Sequence, residues 1–140
     1  MTIKIKLLRP ETKMPKYGRQ GDAGLDLYSC EDYKLAPKER RSFKLGFALE
    51  LPDDVVALVW DRSGMAAHFG IHSLAGVIDS NYRGEVCLVL LNTSDKEYQI
   101  KKGDRLAQML IQKVESAKFE EADELAGSER GEKGWLSSGK

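Results

Sequence analysis

The stretch with the most chemistry per residue is AGVIDSNYRGEV, residues 75–86. Asp79 follows the apolar pair Val77 and Ile78, and Tyr82 stands three residues further on. A carboxylate held at the edge of a tight turn can take a proton from a water and make it a nucleophile. The same letters also spell an ordinary polar hairpin turn, with its usual Asp, Ser and Asn between two apolar runs. DRSGMA, residues 61–66, offers a different chemistry. Arg62 and Ser63 end an apolar run ahead of a helix start, which gathers a guanidinium, a hydroxyl and free backbone N–H groups suited to an anion. A helix capped by Ser63 beside a solvated arginine reads the same way. Asp26 is the lone acid in AGLDLYS, residues 23–29, so it either points outward by strand alternation or is paired or near a metal. Gln108 lies between apolar positions in KGDRLAQM, residues 102–109, where a turn runs into a strand.

Other constellations carry less. His68 and His72 are four apart, but Gly70 falls between them and no glutamate is near, so a helical metal pair is not expected. There is no Gly-x-Ser-x-Gly elbow and no Cys–His partnership to support covalent catalysis. Cys30 and Cys87 have neither zinc spacing nor a disulfide framework, and read as reduced thiols in or near the core. The C-terminal SERGEKGWLSSGK spells Gly134-x-x-x-x-Gly139-Lys140, the opening of a P-loop. It lacks the preceding strand and the hydroxyl residue after the lysine that this motif needs. What remains is glycine-rich backbone able to wrap phosphate oxygens, with Arg130 and Lys140 as cations and Ser137 and Ser138 as donors.

These residues need a scaffold. The length of 140 residues argues for one domain, large enough to bury roughly two thirds of its unfolded surface. The 22 basic and 22 acidic residues cancel, so no general attraction to nucleic acid or acidic membranes follows and any anion site must be local. No signal peptide or membrane-spanning run is legible, and the reading is a soluble, cytoplasmic protein. TIKIKLL, LDLYS, two runs in YKLAPKERRSFKLGFALELP, DVVALVW, EVCLVLLN and a strand–turn–strand in YQIKKGDRLAQMLIQKV are strand signals. Their spacing, with turn chemistry between them, predicts an all-β sandwich, jelly roll or barrel. Only SGMAAHFG invites a helix, from a Ser63 cap to a stop at Gly70. ESAKFEEADELAGSE reads as an irregular connector with room for one helical turn. VCLVLL is apolar throughout, which implies cover on both faces, the second from another subunit.

In order and content these stretches resemble the five motifs of the trimeric dUTP diphosphatases: AGLDLYS the first, DRSGMA the second, AGVIDSNYRGEV the third, KGDRLAQM the fourth and RGEKGWLSSG the fifth. The resemblance implies a β jelly roll over residues 1–126, a C-terminal lid over 127–140 and a homotrimer with three shared sites. It implies hydrolysis of dUTP to dUMP and pyrophosphate with Mg²⁺. Asp79 would activate the water, and Tyr82 would lie against the deoxyribose. Backbone at Gly76, Val77, Ile78 and Cys87 would bind the uracil edge. Arg62, Ser63, Gly64 and Gln108 would hold phosphates, Asp26 would hold Mg²⁺ through water, and Asp104 would support an arginine. Arg130, Ser137 and Ser138 would meet the γ-phosphate while Trp135 covers the base. The chain departs from the family pattern at Asp61, where Pro is usual, at Lys133 and Leu136, where Gly is usual, and at Trp135, where Phe is usual. Asp61 would pair with Arg62 or face the phosphates, and Leu136 would resist lid closure. Two alternatives on the same scaffold are a dCTP deaminase, for which no glutamate replaces Asp79, and a catalytically weak nucleotide- or partner-binding module.

Overall fold

The structure is a computed structural model that describes residues 1–129 and 131. Its strands are β1 Lys4–Leu7, β2 Lys16–Tyr17, β3 Gly24–Tyr28, β4 Tyr33–Leu35, β5 Arg40–Lys44, β6 Phe47–Glu50 and β7 Val55–Trp60. The one helix among the described residues, α1 Ser63–Phe69, follows, then β8 Ile71–Leu74, β9 Val77–Ile78, β10 Cys87–Asn92, β11 Tyr98–Ile100 and β12 Arg105–Lys113. Residues 114–129 carry no helix or strand, so the single helical turn that the acidic connector allowed does not form.

The largest sheet runs β2-β3-β12-β7-β9; a second runs β5-β10-β8, and β1-β6 and β4-β11 form antiparallel pairs. This is the expected jelly-roll-like all-β architecture, open rather than closed into a barrel. Pairing is mostly between strands distant in sequence, a pattern that no local signal encodes. Leu27, Leu35, Phe43, Phe47, Leu88, Leu90, Ile100 and Leu106 fill the space between the sheets. Burying each of these contributes about 1.5–3 kcal/mol. The buried Asn92 is satisfied by donating to the carbonyls of Leu35 and Lys96, which ties the end of β10 to the β4–β11 pair.

Three readings are completed or changed in three dimensions. First, YQIKKGDRLAQMLIQKV is strand–turn–strand, but its two strands do not pair: β11 joins β4, while β12 joins β3 and β7. Second, the apolar runs around Asp79 are not a hairpin, because β9 pairs with β7 while β10 pairs with β5 and β8. Third, α1 starts one residue earlier than expected. Arg62 is its N-cap, with extended backbone and no side-chain cap, and Ser63 is the first helical residue. The stop at Gly70 is as expected, since its left-handed conformation lets its N–H close the last turn. Two short strands, β2 and β8, were not legible at all, and the stretch read as two runs from Tyr33 to Pro52 holds three strands, β4, β5 and β6.

VCLVLL has its core face in Leu88 and Leu90, whereas Cys87 is exposed and Val89 and Leu91 are only partly covered. The second face of this strand thus has no full cover within one chain. Of the two places expected for the thiols, in or near the core, Cys87 is not in the core but on that uncovered face; both cysteines are free.

Candidate active site

The site is best built from β12. A bulge interrupts its pairing with β3: Arg105 is opposite Tyr28, Ala107 is opposite Leu27, and Leu106 is the additional residue. Two consequences follow. Leu106 and Ala107 are both buried despite being adjacent. Arg105 and Gln108, three apart, point to the same side of the sheet, where strict alternation would separate them.

Asp26 lies opposite Gln108 and shares that face. Its carboxylate is held between two arginines, 3.6 Å from Arg62 Nε and 3.3 Å from Arg105 Nη1, and only 15% of the side chain is exposed. The choice left open for Asp26 therefore resolves as a paired carboxylate on the cavity face. Gln108 donates to the Asp61 carbonyl at 2.8 Å, which locks its amide at the start of the Arg62–Ser63 turn. Gly24 makes room for it, since a Cβ there would come within 2.6 Å of the Gln108 side-chain oxygen. Together these groups line a polar cavity of about 550 Å³ that also includes Ser63 and Gly64.

Sequence reasoning missed three charged residues of this cavity, Arg19, Asp22 and Arg105. Arg105 was inside a quoted motif, but only the bulge aims it inward. Arg19 and Asp22 belong to YGRQGDAG, whose tight turn is closed by the Arg19 N–H donating to the Asp22 carboxylate at 2.8 Å; a glycine-rich turn ahead of a strand was the available signal. Asp104, expected to support an arginine, has its carboxylate closing the 101–104 turn by accepting the Lys101 N–H at 2.8 Å. Its carbonyl accepts from the Ser29 N–H.

Asp61 meets neither expectation. Its carboxylate turns away from Arg62 and accepts from the Ser73 N–H and Oγ, each at 2.6 Å, while its other oxygen lies 2.6 Å from His72 Nδ1. Desolvation pushes this carboxyl up, but the bonds from Ser73 and His72 outweigh it and hold it below its ordinary value of 3.8. The aspartate that replaces the family's proline is thus a clasp between the end of β7 and β8.

Asp79 and Tyr82 are elsewhere. Asp79 is exposed and is not among the residues lining the cavity. The chain reaches it by leaving β8 and crossing to β7 through Ala75 at φ 63° and Gly76 at φ 125°. The Gly76 carbonyl accepts from Val59 N–H at 2.8 Å, and a Cβ at Gly76 would crowd the Val59 carbonyl. Left-handed backbone at the non-glycine Ala75 costs about 1–2 kcal/mol. The crossing opens a slot. β9 is the edge of its sheet, and β10 pairs with β8 only from Val89 onward. The β8-side edge at Cys87 and Leu88 and the free edge of β9 are therefore available to an outside ligand with alternating donors and acceptors. Arg130, Trp135, Ser137 and Ser138 lie outside the described residues, as does the P-loop-like spelling.

No group of three or more His, Cys, Asp or Glu side chains able to hold a metal occurs among the described residues. The cavity does present the carboxylates of Asp26 and Asp22 beside its arginines. That set fits Mg²⁺, which is commonly bound through one or two carboxylates, waters and phosphate oxygens.

An open jelly-roll-like fold with a polar cavity lined by arginines and aspartates, and an unpaired backbone slot, defines the class as an all-β protein with a charged cavity. The dUTPase family model matches residues 10–139, and the chain belongs to this family. It is 45% identical to the deoxyuridine 5′-triphosphate nucleotidohydrolase of Anaplasma marginale, over 98% of this chain and 99% of that one. Among solved structures it resembles a Staphylococcus bacteriophage 80alpha dUTPase mutant with dUpNHpp, at 29% identity, TM-score 0.93 and 99% coverage of both chains. It also resembles a mutant dUTPase of phage phi11 of S. aureus described with a structural Mg(II) ion, at 25% identity, TM-score 0.84, and 89% and 99% coverage.

Proposed function

We propose that this chain hydrolyses dUTP to dUMP and pyrophosphate, in sites shared between three copies of itself. The observation that carries the reading is the Asp26–Arg62–Arg105–Gln108 cavity in a chain of the dUTPase family. Arg62, Gln108, Ser63 and Gly64 hold the phosphate chain, with Arg19 and Arg105 as additional cations. Asp79 takes a proton from a water that attacks the α-phosphorus in line. The bond to the bridging oxygen breaks, and pyrophosphate leaves against the positive charge of the arginines. Tyr82 lies against the deoxyribose, and backbone at Gly76, Val77, Ile78 and Cys87 reads the uracil edge. Asp26, with Asp22 nearby, would hold Mg²⁺ through water. When bound, that ion would neutralise phosphate oxygens. Arg130, Ser137 and Ser138 would close on the γ-phosphate with Trp135 over the base. Among the described residues no helix is long and apolar enough to cross a membrane, and the cytoplasm is the expected location.

Sharing is supported by what one chain leaves uncovered. Beside Asp26 and Gln108, the outer face of the large sheet carries Leu58, Leu110, Trp60 at 56% exposure and Val77 at 68%. An exposed Asp79 is also poorly placed to act alone, because a general base must sit within reach of the bound substrate. A neighbouring copy laid on this face would cover the stripe and bring its own Asp79 toward the cavity.

Pyrophosphate release from dUTP, dTTP, dCTP and UTP, with Mg²⁺ and with EDTA, tests the activity. A strong preference for dUTP that needs the metal is expected, and equal rates on all four would overturn the assignment. Mixing inactive Asp79→Asn and Arg62→Ala chains tests sharing. Activity should return in the mixture, and none would return if each site is built by one chain.

A further inference from the structure

The 79–86 loop carries Asp79 and Tyr82 away from the sheets, so their geometry depends on how the loop is fastened. Two backbone bonds hold its far end, Val86 N–H to the Phe47 carbonyl at 2.8 Å and Leu45 N–H to the Val86 carbonyl at 3.0 Å. Among the described residues, the loop's side-chain bonds to the rest of the chain run through Glu85. Its Oε1 accepts from Arg9 Nη1 at 2.6 Å and from the Gly46 N–H at 2.9 Å. The pair is largely shielded, with 33% of the Arg9 side chain and 17% of the Glu85 side chain exposed. Arg9, Thr12 and Cys30 crowd around Gly46 and leave no space for a Cβ. The bond from Arg9 holds the Glu85 carboxyl below its ordinary value, against desolvation and with help from the Gly46 N–H.

The other end of Glu85 reaches the sugar-binding tyrosine. The Glu85 carbonyl accepts from Tyr82 Oη at 2.9 Å. The ring lies so close over Gly84 that a Cβ there would clash with it. A continuous strut therefore runs from Arg9 through the Glu85 carboxylate and carbonyl to Tyr82.

We propose that Arg9 and Glu85 are positioning residues that set discrimination against ribonucleotides, by fixing the height of the Tyr82 ring. This rests on the reading that Tyr82 lies against the deoxyribose. A ring excludes a 2′-hydroxyl only as firmly as it is supported from behind, since a ring free to retreat makes room for the extra oxygen. dUTP needs no such clearance, so loosening the strut acts mainly on UTP. A merely structural role would lower activity on both nucleotides alike.

The test is kcat/KM for dUTP and UTP in Arg9→Met, Arg9→Lys, Glu85→Gln, Tyr82→Phe and Tyr82→Ala, each with its Tm. The UTP-to-dUTP ratio should rise about tenfold in Arg9→Met and Glu85→Gln. It should rise most in Tyr82→Ala, partly in Tyr82→Phe, and stay near the parent value in Arg9→Lys. If Arg9→Met does not fold, Glu85→Gln carries the measurement, because it keeps the side chain's size and an acceptor for Gly46. An unchanged ratio in the strut variants, with a raised ratio in Tyr82→Ala, overturns the strut alone. An unchanged ratio in Tyr82→Ala overturns the reading of Tyr82 on which it rests.

Discussion

The cavity side and the loop side of this molecule are built on opposite plans. Around Asp26, four side chains come from three segments of one chain, aligned by strand register and tied to one another: Asp26 to two arginines, and Gln108 to the Asp61 carbonyl. Around Asp79, the chain offers backbone edges and two exposed side chains on a loop fastened through Glu85 and Val86. A phosphate chain carries fixed charge, and meeting it with pre-aligned cations avoids reorganisation when it binds. A base and sugar are read by shape and by backbone groups, for which a slot between diverging strands suffices. The contrast teaches that the cavity can be assembled by folding alone, whereas the proposal gives Asp79 its substrate only when a neighbouring copy is in place.

Each side can be broken separately. The largest effect is expected at Asp79→Asn. Turnover should fall about 10³-fold with dUTP affinity nearly intact, measured by pyrophosphate release and calorimetry. Preserved turnover would remove Asp79 as the base. Next is Gly24→Ala, which tests whether register builds the cavity. The new Cβ would displace Gln108, and kcat/KM should drop about 10²-fold. An unchanged value would mean that the Gln108 amide is not positioned by this packing.

A smaller effect is expected at Asp61→Ala, which separates clasp from cavity. Ser73 loses the acceptor for its N–H and Oγ, and urea unfolding should show a loss of about 1–3 kcal/mol. Turnover should change little, because the carboxylate faces β8; a turnover loss exceeding the stability loss would place Asp61 in the phosphate chemistry. The smallest effect is its pH dependence. The Asp61 carboxyl is held below 3.8 in the folded chain, so its contribution is complete above that value and is lost as pH falls through the lower folded value. The stability gap between parent and Asp61→Ala should therefore narrow in acid. A gap that widened on acidification would contradict the sign.

The strands were legible where apolar and polar residues alternate, as in TIKIKLL, or where a β-branched apolar run stands behind a turn, as in DVVALVW, because both are local signals. Their partners were not, because pairing joins segments tens of residues apart. The turn around Asp79 shows the difference. IDSN between apolar runs has the composition of a hairpin, yet its flanks separate into different sheets, and that separation opens the slot assigned to uracil. Asp61 was legible as a departure, but its outcome depended on His72 and Ser73 arriving opposite it on β8.

The sequence by itself determined the all-β class, the helix α1 and its stop at Gly70, and the residue types of the candidate site. Each of these follows from local periodicity, local turn chemistry, or a motif whose members are close in sequence. Only the tertiary structure decided which of those residues meet. The bulge at Leu106 turns Arg105 to the side of Gln108, the antiparallel register sets Asp26 opposite them, and the crossing at Ala75 and Gly76 takes Asp79 elsewhere. The physical reason is that one additional residue in a ladder reverses the facing of the residues beyond it. That reversal is fixed by packing between distant strands and leaves no mark in local composition.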